Sequence, residues 1–172
     1  GVLSDLPAVC DLITASWTAM IPFVGEDQKD RFIKMAEQCI ADEFTIDTFY
    51  KKWNSDEIPF DKFWVAESSD LGVVGCVGVK KETTDEVDLV RMAVDPNIRS
   101  RGIGKILVSN LISYCRTAGF LRINCVTANP DSARFYSKKC KFTTIEERPI
   151  ISMKITLFIF VYLISEKIIR RV

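Results

Sequence analysis

The sequence predicts an α/β (α+β) fold, and three patterns of apolar residues indicate it. Residues 87–94 form a strand-like apolar run that passes through a basic turn into an amphipathic helix over 103–118. A second strand is expected over 121–127, again followed by the start of a helix. Upstream, two short apolar runs at 63–68 and 72–79 are typical of a β-hairpin.

The length and charge indicate a single domain with no preference for nucleic acid. A chain of 172 residues suits one domain, residues 1–172, with a core of its own. The composition is 48% hydrophobic and 27% charged, as in globular proteins. Lys and Arg number 23, and Asp and Glu number 23, so we expect no nucleic-acid partner.

The cysteine and histidine content restricts the chemistry. The six cysteines form no C-x-x-C pair and no spacing typical of metal ligands, and most fall on predicted buried faces. The chain has no histidine, which excludes His-based catalysis and any His-ligated metal. We therefore expect reduced core thiols, a cytoplasmic location and no metal.

Two helices are predicted before the first strand. Ser4 is expected to cap the first helix, and Pro22 to end it. The second is expected over 26–41, with an extension over 44–53 as a further option, and 54–59 reads as a loop. The predicted inner faces of the two helices carry Leu6, Val9, Ile13 and Trp17, and Phe32, Met35, Ala36 and Ile40.

Three antiparallel strands are expected next. The hairpin strands at 63–68 and 72–79 are joined by a turn at 69–71. A charged turn over 80–86 then leads into the strand at 87–94.

An anion site is predicted where the strand at 87–94 passes into the helix. The turn reads Arg99-Ser100-Arg101-Gly102-Ile103-Gly104-Lys105. The free N–H groups and the dipole of the helix start favour an anion, and the two glycines remove Cβ atoms where a phosphate would approach. The pattern is neither G-x-G-x-x-G nor a P-loop. A β-to-helix turn with incidental glycines is the alternative interpretation.

Residues 129–142 carry a second pattern. Asn129 is a good N-cap and Pro130 a good first helical residue. Asn129 is followed by Ala133, Phe135, Tyr136 and Phe142. This order, together with R-x-x-G-x-G at 99–104, resembles the GCN5-related N-acetyltransferases (GNAT), which read N-x-x-A-x-x-F-Y-x-x-x-G-F here. Ala133 lies one residue later than the commonest spacing, and Cys140-Lys141 stand where that family usually has its glycine turn. Residues 89–94 and 102–105 are similar to the camello-like branch, which acetylates amino acids and cysteine conjugates.

The resemblance implies a mixed central sheet, flanked by helices, in which the two motif-bearing strands run parallel and splay apart. It also implies acetyl-CoA as cosubstrate, held by a core at about residues 60–145. The backbones of Met92 and Val94 would pair with the pantetheine arm as an added strand. Cofactor binding is thereby assigned to Met92, Ala93, Val94, Arg99, Ser100, Arg101, Gly102, Ile103, Gly104, Lys105, Asn129 and Tyr136.

The implied reaction, direct attack of an amine on the thioester in a ternary complex, needs a base and an acid. Without histidine, the base is expected to be a carboxylate. Asp88 stands where relatives often carry Glu, and Glu86 and Glu67 are the alternatives. For each of the three, the other interpretation is an acidic residue at the surface or at a strand end with no catalytic role. Tyr136 matches the tyrosine that lies beside the coenzyme A sulfur in the resembled family, and it is the candidate acid. The alternative interpretation is that Tyr136 only packs against the cofactor arm.

The acceptor is expected to be a small-molecule or protein amine, and the protein a monomer or homodimer. The alternative function is a non-catalytic CoA-binding or regulatory domain of the same fold, since the residues needed for binding do not by themselves require turnover.

The uncharged segment 155–164 permits two interpretations. It is shorter than the roughly 20 apolar residues of a transmembrane helix and is rich in β-branched and aromatic residues, which favours a final buried strand. Membrane association through this segment is the alternative.

Overall fold

The computed structural model describes residues 5–44, 61–98 and 101–164, which contain a six-stranded sheet. Its elements, in chain order, are helices α1 (Leu6–Thr18) and α2 (Lys29–Phe44), strands β1 (Lys62–Ser68), β2 (Gly72–Lys81) and β3 (Glu86–Val94), helix α3 (Ile103–Thr117), strand β4 (Arg122–Thr127), helix α4 (Pro130–Arg134) with a π-helical turn (Phe135–Lys139), and strands β5 (Thr143–Ile150) and β6 (Ile155–Leu163).

The sheet is mixed, as predicted. Its strand order is β1-β2-β3-β4-β6-β5. The pairs β1–β2, β2–β3, β4–β6 and β6–β5 are antiparallel, and β3–β4 is parallel. The two strands that carry the sequence motifs are therefore neighbours at the centre of the sheet.

The parallel pair splays apart, which confirms the expected arrangement. The β3–β4 ladder runs from Glu86 opposite Arg122 to Leu89 opposite Cys125. Beyond Leu89, β3 continues to Val94 while paired with β2. Beyond Cys125, β4 continues to Thr127 while paired with β6. A gap thus opens between the two strands at their carboxyl ends. We call the Leu89–Cys125 pair the apex of this gap.

The apolar segment near the C-terminus forms strand β6, between β4 and β5, so the strand interpretation is confirmed. Strand β5 was not predicted. Its side chains are exposed along most of its length, and it contains Pro149, which is tolerated because β5 is an edge strand. The sequence of β5 therefore lacks the apolar alternation that identifies a half-buried strand.

The two N-terminal helices form as predicted, with different ends. Helix α1 ends at Thr18, and Pro22 lies in a separate 3₁₀ turn, Ile21–Phe23. A 3₁₀ turn, Glu26–Gln28, precedes α2, which continues to Phe44. Ser4, the side chain of Ile40, and the predicted extension and loop over 45–59 lie outside the described residues.

Two apolar cores cover the two faces of the sheet. On one face, α3 packs on β2, β3 and β4 through Leu107, Leu111 and Cys115. On the other face, α1 packs on β2 and β3 through Leu6, Val9 and Ile13. The stretch Leu6–Phe23 is long and apolar enough for a membrane span by length and composition alone, a test that core helices also meet. The cysteines at 76, 115, 125 and 140 are buried free thiols, as expected for core positions.

Candidate active site

The predicted anion site lies at the start of helix α3. Gly102 is the N-cap and has φ of 83°, a left-handed conformation that favours glycine. Its carbonyl accepts the N–H of Ile106 at 3.0 Å, which closes the first turn. Arg101 and Lys105 are exposed beside this turn. The first-turn N–H groups and two cations therefore share one end of the helix, as an anion site requires. Arg99 and Ser100 lie outside the described residues.

Gly104 lies where three elements pack closely. A Cβ atom at this position would lie 3.1 Å from Cε of Met92 and 3.2 Å from Cζ of Phe135. These contacts are tighter than side chains normally make, so glycine here lets α3, β3 and the π-helical turn approach one another. Close packing within the protein thus accounts for a glycine here, and its predicted role beside a phosphate stays a prediction.

The last residues of β3 lie near the start of α3, and the edge of β3 faces the gap there. Arg91 and Met92 form a β-bulge opposite Val77, and Arg91 has φ of 54°. The side chains of Met92 and Val94 pack against the α3 core, and Ala93 packs towards α1. Because the β3–β4 ladder ends at the apex, this edge lies where an extended ligand could add as a strand.

Asn129 caps the short helix α4, as predicted. Its Oδ1 accepts the backbone N–H groups of Asp131 at 2.8 Å and Ser132 at 3.3 Å. Its amide group can still donate, so the predicted contact with a cofactor is compatible with capping and stays a prediction.

Tyr136 lies in the core on the α3 face of the sheet and is 4% exposed. Its ring centroid lies 5.6 Å from that of Phe142 and 6.0 Å from that of Phe160. Its side chain lies beside the thiol of Cys125 at the apex. Burial raises the pKa of the Tyr136 phenol well above its usual value, and the Cys125 thiol raises it further. The phenol is therefore protonated across the physiological pH range.

Asp88 lies on the opposite face of the sheet, one residue before the apex. Its neighbours Val87 and Leu89 point into the α3 core, and side chains alternate along a strand, so Asp88 points away from α3. Asn124 donates to Oδ1 of Asp88 at 3.2 Å. Burial raises the pKa of the Asp88 carboxyl, and the hydrogen bond from Asn124 opposes this rise.

The two alternative bases differ in their distance from the gap. Glu86 shares the face of Asp88 and accepts a hydrogen bond from Asn124 at 3.2 Å. It also lies 3.8 Å from Nε of Arg122, so its charge is partly compensated. Glu67 is exposed on β1, the edge strand, and is separated from the gap by β2 and β3. Among residues 5–44, 61–98 and 101–164, no cluster of acidic and cysteine side chains could hold a metal ion.

The structure therefore brings together candidates that the sequence placed far apart. Tyr136 reaches the apex from the α3 face through Cys125, and Asp88 flanks it on the other face. The sequence did not identify Asn124, Arg122 or Cys125. The alternation of polar and apolar residues along β4 indicates the two faces, but the partner of each residue depends on pairing between distant strands.

Comparison with known proteins supports the same family as the motifs. The family model described as "Acetyltransferase (GNAT) family" matches residues 22–142. The chain is 33% identical over 91 residues to an amino-acid acetyltransferase of Mycobacterium tuberculosis, a match that covers 52% of this chain and 50% of that protein. It is 35% identical over 71 residues to N-acetyltransferase 8B of Homo sapiens, covering 39% of this chain and 31% of that protein. The matches thus span half or less of the length of these relatives.

A solved structure shares the fold over most of its length. The PaiA N-acetyltransferase of Thermoplasma acidophilum, in complex with coenzyme A, has a TM-score of 0.68 and covers 94% of this chain and 94% of that chain. The sequence identity is 16%, so this likeness concerns the fold alone.

Proposed function

The chain belongs to the acetyltransferase (GNAT) family, and from this membership we propose that it transfers an acetyl group from acetyl-CoA to a primary amine by direct attack in a ternary complex. The observation that carries the proposal is the apex of the β3–β4 gap. A protonated phenol reaches it from one face of the sheet, and a carboxylate flanks it on the other. An acid and a base on opposite sides suit a reaction between a donor and an acceptor that arrive from opposite faces.

The donor would bind on the α3 face. The glycine N-cap and the exposed cations Arg101 and Lys105 fit a pyrophosphate, and Arg99 and Ser100 keep the same proposed role. The edge of β3 at Met92, Ala93 and Val94 fits an extended pantetheine arm. Acetyl-CoA would supply the acetyl group as a thioester. Asn129 and Ile103 lie at the starts of α4 and α3, and both would flank the arm.

Asp88 is the proposed base. Its carboxylate would accept a proton from the acceptor amine as the C–N bond forms. The raised pKa of this carboxyl makes it a stronger base than an ordinary aspartate. Its position beside the apex places it on the side from which an acceptor can approach.

Tyr136 is the proposed acid. As the C–S bond breaks, its phenol would donate a proton to the sulfur of the leaving group. Its neighbour Cys125, at the apex, supports this role. The other role left open by the sequence, packing without proton transfer, is supported by its contacts with Phe135, Phe142 and Phe160. The Tyr136→Phe variant distinguishes the two roles.

The proposed acceptors are free amino acids and cysteine conjugates. Similarity to an amino-acid acetyltransferase supports the free amino acids, and the resemblance of residues 89–94 and 102–105 to the camello-like branch implies the cysteine conjugates. Protein amines remain the second class to be tested. Cytoplasmic location and a monomeric or dimeric state stay predictions.

The test combines binding and turnover. Calorimetry with acetyl-CoA is followed by thiol release with α-amino acids, S-substituted cysteines, spermidine and a peptide. We expect micromolar binding and turnover with at least one α-amino acid or cysteine conjugate. Binding without turnover on any amine would contradict the proposed reaction and support the non-catalytic alternative.

A further inference from the structure

Four polar side chains form a patch on the face of the sheet opposite α3. Glu86 and Asp88 on β3 lie opposite Arg122 and Asn124 on β4 in the parallel register. Between them, Val87, Leu89, Ile123 and Cys125 point into the α3 core. The alternation of the two strands thus places two carboxylates, an amide and a guanidinium side by side, next to the apex.

The hydrogen bonds of this patch fix the orientation of Asn124. Nε of Arg122 donates to Oδ1 of Asn124 at 2.7 Å. A guanidinium can only donate, so the atom that it contacts must be the amide oxygen. The amide nitrogen therefore faces β3, where it donates to Oδ1 of Asp88 and to Oε2 of Glu86, each at 3.2 Å. The two protons of one amide group serve two carboxylates.

We propose that Asn124 is a positioning residue for acetyl transfer: its amide, oriented by Arg122, holds the Asp88 carboxylate at the apex and keeps it available to accept the proton of the acceptor amine. This proposal rests on the proposed role of Asp88 as the base. A carboxylate that rotates away from the apex, or that shares a proton with Glu86, cannot serve the amine.

Charges from three strands act on Asp88. Lys80 on β2 is its cross-strand neighbour, and Glu82 follows β2. Glu86 lies on the same strand, and Arg122 accompanies Asn124 on β4. Burial and the carboxylates of Glu82 and Glu86 raise the pKa of Asp88, whereas Asn124 and Lys80 lower it. Removing the amide must therefore raise this pKa further and increase the protonated fraction at neutral pH.

The test is the titration of Asp88 in Asn124→Leu, which removes both donors. The pKa is read from the ¹³C NMR signal of the Asp88 carboxyl, which is assigned by its absence from the spectrum of Asp88→Asn. This measurement needs no acceptor amine. We expect the pKa of Asp88 to rise by about one unit, as befits the loss of a hydrogen bond to a charged group. The acid limb of the pH profile of kcat/KM, measured with the fastest acceptor of the amine panel, should move to higher pH by the same amount. Affinity for acetyl-CoA should not change.

Two matched variants are measured alongside Asn124→Leu. Val126→Ala alters an exposed residue of the same strand and face, and it should leave the titration unchanged. Asn124→Gln retains the donors and should recover part of the shift. If Asn124→Leu does not fold, Arg122→Gln carries the test, because losing the guanidinium frees the amide to rotate and should shift the titration in the same direction.

A wild-type titration and pH profile in Asn124→Leu, or in Arg122→Gln where the former does not fold, would overturn the proposal. If Asp88→Asn is inactive in that case, only the positioning role fails. If Asp88→Asn has wild-type activity, the base assignment fails, and the positioning role fails with it.

Discussion

The two faces of the sheet at the β3–β4 gap differ in how they are built. On the α3 face, Tyr136 is 4% exposed, Cys125 is 2% exposed and Ile123 is 0% exposed. Aromatic rings and thiols fill the space there. On the opposite face, Val126 is 54% exposed and Leu163 is 69% exposed, and the polar side chains of Arg122 and Asn124 lie beside them on β4. Where β3 pairs with β4, one face is therefore a close-packed core, and the other carries hydrogen-bonded polar side chains beside the α1 core.

The difference indicates how each face contributes to function. The α3 face depends on backbone conformation and close packing, as Gly102 and Gly104 show. The opposite face depends on single polar atoms that contribute little to the core. Changes to the two glycines of the first face should therefore affect donor binding, and changes to the polar residues of the second should affect the chemistry while the fold stays intact.

The largest effect is expected for Gly102→Glu on the donor side. A side chain would strain a backbone with φ of 83°, and a carboxylate would occupy the proposed phosphate position. We expect affinity for coenzyme A, measured by calorimetry, to fall at least about 100-fold.

The matched control is Gly72→Glu. Gly72 has φ of 69°, open space around it, and a position in the β1–β2 turn. Each variant should lose stability through the left-handed conformation, by about 1–2 kcal/mol. Only Gly102→Glu should lose affinity, and equal affinities in the two variants would contradict the assignment of the loop.

The next effect is expected for Asp88→Asn on the open face. Turnover should fall about 100-fold, the lower end of the range that is typical when a general base is lost. Affinity for acetyl-CoA should stay at the wild-type value. Glu67→Gln, on the edge strand, should retain wild-type turnover; loss of activity there together with retention in Asp88→Asn would reverse the assignment.

Asp88→Asn should not lower the melting temperature at neutral pH. The pKa of Asp88 is raised in the folded state, so its contribution to stability is present below the unfolded-state pKa and is lost as pH rises through the folded-state pKa. At neutral pH the ionised carboxylate therefore costs stability, and its replacement removes that cost. A marked decrease in melting temperature would show that Asp88 serves the fold.

The smallest of these effects is expected for Tyr136→Phe. The ring contacts are kept, so the fold and donor affinity should change little, while turnover at saturating acetyl-CoA should fall about 10- to 100-fold. Tyr162→Phe, whose ring packs 5.3 Å from Phe142 in the same core, is the control and should leave turnover unchanged. Wild-type turnover in Tyr136→Phe would assign this residue to packing.

Much of the fold could be predicted because the elements around the gap carry strong local signals. The strand at 87–94, the amphipathic helix at 103–118 and the Asn129 cap each depend on residues within a few positions of one another. Strand β5 could not be predicted in this way, since its residues are polar and exposed and its pairing depends on β6.

The candidate site likewise combines features with a local sequence signal and features that depend on pairing between distant strands. The Gly102 loop and Tyr136 belong to recognisable local patterns. The contact between Asn124 and Asp88 joins residues 36 positions apart, and it exists because two strands pair in one particular parallel register. Nothing in the neighbouring sequence of Asn124 specifies that register, so the patch opposite α3 became visible only in the folded chain.

The central claim is that the amine attacks the donor directly across the gap. It is tested by initial rates with both substrates varied, together with mass spectrometry of the protein after incubation with acetyl-CoA alone. Direct attack predicts intersecting double-reciprocal lines and a protein of unchanged mass. Parallel lines, with a protein heavier by one acetyl group, would contradict it and would show that the acetyl group first passes to a side chain of the enzyme.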